Sequence, residues 1–273
     1  MKKSIISLLL GILFYTVSSA AQATNSGYVV ESTPNSSYAS SNSITGLFNN
    51  LQKKEQKSAQ SIASDQYNSG LKNIEAKKYL AALRDFQSAC NGKHAAACTE
   101  IANWYKTGKK IEKSLEKAAF FFEKACKLQG AAGFTACLNL GELYKAGEGV
   151  EANADKAKAY FDEARRGLER FCGEKYPEAC TSLGSIFTLA LGVERDFLKA
   201  SVHLNKGCEH GSGVACYRLA NLQLFGMDGI PRDRAKAVKY FDKSCKAGLW
   251  AGCQRHRDMT ATTSEEDTPF RDN

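Results

Sequence analysis

Ten cysteines supply the most reactive chemistry in this 273-residue chain. Thiols in that number could hold a metal, exchange electrons or close disulfides. Their spacing is the first constraint. Cys90/Cys98, Cys172/Cys180, Cys208/Cys216 and Cys245/Cys253 each enclose seven residues, and Cys126/Cys137 encloses ten. None precedes position 90 and none is left over. Structural zinc sites favour tighter Cys-x2-4-Cys gaps, often with histidine. Here His94, His203, His210 and His256 keep no ligand spacing. No metal and no other cofactor is expected.

A second candidate chemistry is nucleophilic. Ser114-Leu115-Glu116-Lys117 reads as Ser-x-x-Lys and Lys106-Thr107-Gly108 as Lys-Thr-Gly. These are two of the three motifs of serine enzymes that open β-lactams. The third, Ser-Asp-Asn, is absent, and the order and separation of the two are wrong for that use. Ser69 and Lys72 make one more chance match. There is no Gly-x-Ser-x-Gly, no His-Glu-x-x-His and no phosphate-binding glycine loop. No catalytic residue is assigned.

The elements carrying these residues repeat. The first cysteines of successive pairs are 36, 46, 36 and 37 residues apart. Aligning on the second cysteine gives Ala-Cys, two residues, Leu or Ile, Gly or Ala, two residues, an aromatic, then a glycine turn. It reads Ala97-Cys98, Ile101-Ala102, Tyr105, Gly108, and recurs as Ala136-Cys137, Leu140-Gly141, Tyr144, Gly147-Glu148-Gly149-Val150. Ala179-Cys180, Leu183-Gly184, Phe187 and Ala215-Cys216, Leu219-Ala220, Gln223 continue it. A helix-capping residue stands three before Lys-Ala in each following segment: Ser114, Asn153, Asp196 and Asp233. Each side chain can accept a hydrogen bond from a free amide at a helix start. Apolar spacing of three and four makes both segments helical. The unit is therefore a helical hairpin, and both nucleophile-like motifs fall on its structural positions, a cap and a turn.

The long interval holds ten extra residues, three within 130–134 and seven between Ala164 and Cys172. Seven residues are about two helical turns, so a second helix protruding by roughly 10 Å is expected there. A weaker hairpin copy precedes the cysteines, with a first helix from about Ser58 to Glu75. A short helix over about 251–259 closes the far end.

Met1-Lys2-Lys3, the apolar run Ile5–Val17 and Ala21-Gln22-Ala23 read as a secretory signal peptide over 1–23. Residues 24–55 are rich in Ser and Asn and read as a disordered linker, 56–259 as about five helix pairs plus a capping helix, and 260–273 as a disordered tail. No later stretch approaches the ~20 apolar residues of a transmembrane segment. The formal charge is +8, spread through the helices, and no basic cluster alternates with aromatics, so nucleic acid is not an expected partner.

The Leu-Gly, Tyr, Gly-x-Gly-Val, Asp and Lys-Ala pattern resembles Sel1-like repeats, relatives of tetratricopeptide repeats, over about residues 60 to 258. The added cysteines resemble those of the Helicobacter cysteine-rich protein family. That resemblance implies an all-α, right-handed α-solenoid of helical hairpins with a concave face, stapled by disulfides within each cysteine pair. The repeated spacing selects the same local pairing, and an exported chain keeps disulfides. The family also carries a β-lactamase label, with penicillin binding ascribed to members. The expected role is a periplasmic or secreted, non-enzymatic scaffold whose partner is another protein or a cell-envelope component; immunity against an imported toxin is a variant of it. Tyr105, Tyr144 and Phe187 are read as packing residues. Trp104 and Trp250 break the repeated pattern and are the candidate anchors of an interaction surface.

Overall fold

The computed structural model describes residues 41–266. The expected signal peptide and the first part of the linker lie outside them, as do residues 267–273. The described residues form helices and no strand, with two isolated bridges in loops, Gly173 with Tyr176 and Met227 with Ile230. In chain order the helices are α1 (Ser41–Glu75), α2 (Tyr79–Asn91), α3 (Ala95–Thr107), α4 (Leu115–Leu128), α5 (Gly130–Ala146) and α6 (Ala154–Phe171). They continue as α7 (Pro177–Leu189), α8 (Phe197–Glu209), α9 (Gly213–Phe225), α10 (Arg234–Lys246) and α11 (Trp250–Glu266). Two ends differ from the expectation. The first helix reaches back to Ser41 through residues read as linker, and the last runs to Glu266 through residues read as tail.

The helices pair as α1/α2, α3/α4, α5/α6, α7/α8 and α9/α10, and each pair stacks on the next, which makes residues 50–266 a solenoid. The small residue of each first helix lets its second helix approach. A β-carbon added to Gly70, Gly141 or Gly184 would lie 2.4 to 2.6 Å from Phe86, Phe161 or Leu204. Ala102 and Ala220 fill the same position in the other hairpins and are fully buried. All four expected caps are made: the side chains of Ser114, Asn153, Asp196 and Asp233 accept from the backbone amides of Lys117, Lys156, Lys199 and Lys236 at 3.3, 2.9, 2.8 and 2.8 Å.

The repeated aromatic is a hairpin clasp. Tyr105 stacks on Phe121, Tyr144 on Tyr160 and Phe187 on His203, with centroids 5.6 to 5.9 Å apart and interplanar angles of 10°, 15° and 2°. The lysine of each Lys-Ala lies 5.2 to 5.8 Å over the first ring. The pair sits at the turn end of the hairpin, and the cation faces the electron-rich ring.

The second helix of the hairpin that holds the seven-residue insertion is longer, as expected, but by five residues rather than seven. The second helix α6 has 18 residues where α8 and α10 have 13, and the connection after it has five residues instead of three. Five of the seven extra residues thus lengthen the helix and two lengthen the loop. The three-residue insertion lengthens α5 at its N-terminus, which lies beside the C-terminal end of α6. The two extensions pack together: Leu168 and Phe134 are buried, Phe134 lies 6.1 Å from the Phe171 ring, and a β-carbon on Gly167 would sit 2.2 Å from Phe134. Glycine at 167 opens the seat that Phe134 fills. One hairpin is longer; the face of α6 that carries Gly167 and Leu168 is buried against α5, while Arg166, Glu169 and Arg170 are exposed.

Candidate interaction surface

The five cysteine pairs are disulfides, with Cα atoms 4.4 to 4.8 Å apart. Cys90–Cys98 ties α2 to α3, Cys126–Cys137 ties α4 to α5, Cys172–Cys180 ties the end of α6 to α7, Cys208–Cys216 ties α8 to α9, and Cys245–Cys253 ties α10 to α11. Every bridge therefore joins one hairpin to the next. No cysteine is free. Glu163 lies within 4.8 Å of the Cys126–Cys137 sulfurs. That trio has the residue types of a metal site, but bonded sulfurs offer no thiolate to a cation. Disulfides in this number are kept in an oxidising compartment.

The nucleophile-like motifs sit where the repeat places them. Ser114 caps α4, its hydroxyl accepting from Lys117 N–H. Lys106 belongs to α3, and its Nζ donates to Asn139 Oδ1 at 2.9 Å and pairs with Glu142 at 3.1 Å on α5. The Ser69 hydroxyl donates to Asp85 at 2.8 Å. Each group has a structural partner. Ser114→Ala should lower stability by about 1 kcal/mol, the usual cost of losing an N-cap, read as a shift in the urea midpoint.

Trp104 is not a surface anchor. It is 4% exposed and packs edge-on against Tyr79 and Phe86 at 6.3 and 5.6 Å. It stands six residues after its second cysteine, where Leu143, Ile186 and Leu222 are also buried, so a core position has been filled by a larger ring. Trp250 is the opposite case, 71% exposed. It stands three residues before its second cysteine. In the preceding units that position meets the second helix of its own hairpin. Phe134 packs on Gly167, the Pro177 carbonyl lies beside Gly207, and the Gly213 carbonyl accepts from Ser244 Oγ at 2.8 Å. At Trp250 the coupling position carries the largest side chain and stays open. Arg257, also exposed, occupies the small-residue position of α11, so this helix is not shaped to seat a second helix as the others are.

The row of first helices is joined by polar contacts. Besides Lys106, the Thr99 hydroxyl donates to the Ala132 carbonyl at 3.2 Å, Thr181 and Ser212 share a hydrogen bond at 2.9 Å, and Arg218 donates to the Ser185 hydroxyl. Two exposed apolar side chains stand at the C-terminal ends of these helices, Leu189 at 49% and Phe225 at 62% exposure. Both stand nine residues after their second cysteines, on neighbouring first helices α7 and α9. The sequence reading missed them. The signal was available, since the other units carry Thr107 and Ala146 in that register.

Stacked helical hairpins with a small-residue seat, an aromatic clasp and a glycine turn define an αα-repeat solenoid, a class built to present surface rather than to enclose substrate. The Sel1 repeat profile matches residues 95–129, 135–166, 177–212 and 213–249, a little over half of the sequence. The chain belongs to the Sel1 repeat family. Among solved structures, a Sel1 repeat protein of Oxalobacter formigenes is 24% identical, with 73% of this chain and 75% of that chain covered and a TM-score of 0.47. Cysteine-rich protein B of Helicobacter pylori is 27% identical over 43% of this chain and 87% of its own, with a TM-score of 0.33. An immunity protein of Pseudomonas aeruginosa is 20% identical over 70% and 67%, with a TM-score of 0.49. No curated protein matches the chain.

Proposed function

We propose that this chain is an exported, non-enzymatic repeat scaffold that binds another protein or a component of the cell envelope. The surface is the row of first helices on the concave side, with Leu189 and Phe225 along it and Trp250 at its end. The observation that carries this reading is Trp250. A tryptophan held 71% exposed, at a register that other hairpins spend on packing, costs solubility and contributes nothing to the fold. Exposed aromatic anchors of this kind carry much of the energy of protein interfaces. The disulfides add rigidity, so that little ordering entropy is lost when a partner docks.

The test is crosslinking and affinity capture from the native envelope, comparing the wild-type chain with Trp250→Ala and with Leu189→Ala/Phe225→Ala. A specific partner should be lost or weakened at least tenfold in one or both variants while their thermal transitions stay in place. Equal capture by all three would place binding elsewhere and remove this surface from consideration. Incubation with nitrocefin and a fluorescent penicillin tests the enzymatic reading separately. Turnover abolished in Ser114→Ala would overturn both the scaffold and the cap assignment.

A further inference from the structure

We propose that His94 is an acid-sensitive latch that holds α1 against α3. The residue occupies the N-cap of α3, where its Nδ1 accepts from the Ala97 amide at 3.3 Å. Its ring stacks on Tyr67 of α1, with centroids 4.4 Å apart and planes 23° apart. Tyr67 in turn lies 5.5 Å from Phe86, inside the first hairpin. One imidazole thus closes a helix end on one side and seats a neighbouring helix on the other.

The cap works only with a neutral ring. A proton on Nδ1 removes the lone pair, sets an N–H against the N–H groups of the helix start and puts a positive charge at the positive end of the helix dipole. Half-burial acts in the same direction and holds the imidazole below its ordinary range. The groups that face it offer little relief. Tyr67 lies on α1. Glu100, further along α3, is half-buried, and that burial pushes its carboxyl up although Lys110 opposes it, so it loses charge on acidification. Lys93 precedes the ring. Across a groove of about 500 Å³ stand Gln129, Lys175 and Glu178. Among the described residues no carboxylate hydrogen-bonds the imidazole.

The pH window follows by linkage. A histidine whose folded pKa lies below its unfolded value of about 6.5 contributes stability that is full above that value and lost as pH falls through the folded one. The Cys90–Cys98 bridge spans His94 and keeps α2 and α3 joined. The protonated ring therefore turns outward without opening that seam, and what it gives up is the Tyr67 contact. Acid loosens α1 while leaving the cysteine-bridged hairpins in place.

The experiment is an NMR titration of the full chain from pH 7.5 to 4.5, following the His94 ring, the Ala97 amide and the amides of residues 67–75. The expected result is one shared transition below the ordinary histidine value at all these probes. His94→Asn, which keeps an acceptor at the cap and does not titrate, should lose that transition, while signals near His203 keep theirs. His94→Ser, matching the Ser212 cap in the same register of α9, is the second variant should the first fold poorly. A His94 ring that titrates at or above its ordinary value, or a transition at residues 67–75 that persists in both variants, would overturn the latch.

Discussion

Full reduction of the five disulfides should abolish the cooperative thermal transition of this protein at neutral pH. Four bridges join residues eight apart and one joins residues eleven apart. Closing a loop of that size removes roughly 2.5 kcal/mol of chain entropy from the unfolded state. Five such terms, about 12 kcal/mol together, fall in the upper part of the 5–15 kcal/mol by which whole domains are stable. The hairpins contact mainly their neighbours, so the effect of single bridges should depend on position. Cys245→Ser/Cys253→Ser should free α11 alone, seen as fast hydrogen exchange confined to residues 250–261. Cys172→Ser/Cys180→Ser removes the tie at the longest connection and should split melting into two phases. Non-reducing peptide mapping should return the five sequence-adjacent pairs. A fully reduced sample that melts within a few degrees of the oxidised one would show that the hairpin seams hold without covalent help.

Gly149→Ala should be the most damaging single methyl group that can be added to a turn of this fold. Gly149 has φ +71°, and an added β-carbon would lie 2.2 Å from the Leu115 carbonyl carbon and 2.6 Å from Glu116 N. Those atoms are the backbone at the start of α4, and they cannot swing aside as a side-chain tip could. The turn docks on the preceding hairpin, so the cost combines left-handed strain of about 1–2 kcal/mol with displacement of one hairpin on another. We expect about 3 kcal/mol or more. Gly211→Ala separates the two parts. Gly211 has φ +92° with nothing near its β-position, so only the strain applies. Chemical denaturation of both variants gives the contrast. Equal losses would mean that the turn does not bear on α4.

The same repetition made much of this architecture readable beforehand. Caps at Ser114, Asn153, Asp196 and Asp233 were legible because the same residue class recurs at one offset from Lys-Ala. The seam positions of the cysteines were legible for the same reason. What failed lay outside the repeat. A period cannot say where an insertion goes, and the extra turn of α6 looked free until Phe134 was seen seated over Gly167. Trp104 was judged by its type rather than its register, and the register of Leu143 and Ile186 is buried. His94 was weighed only as a metal ligand. Its role depends on a tautomer and a stacked Tyr67, and neither is encoded in spacing. Leu189 and Phe225 were not singled out, because they fall beyond the repeated aromatic, although Thr107 and Ala146 in the same register marked them as departures.

The placement of the bridges also has a mechanical meaning. Tension applied to the two ends of the array passes through every hairpin in series. Each hairpin can be pulled open, but the eight-residue stretches between bridged cysteines stay locked, withholding about 27 Å of contour apiece at ~3.4 Å per residue. Force should therefore release the helices in short, nearly equal steps while each covalent seam survives as a node. Under load the protein behaves as a chain of knots whose links can reform in register once the tension is removed.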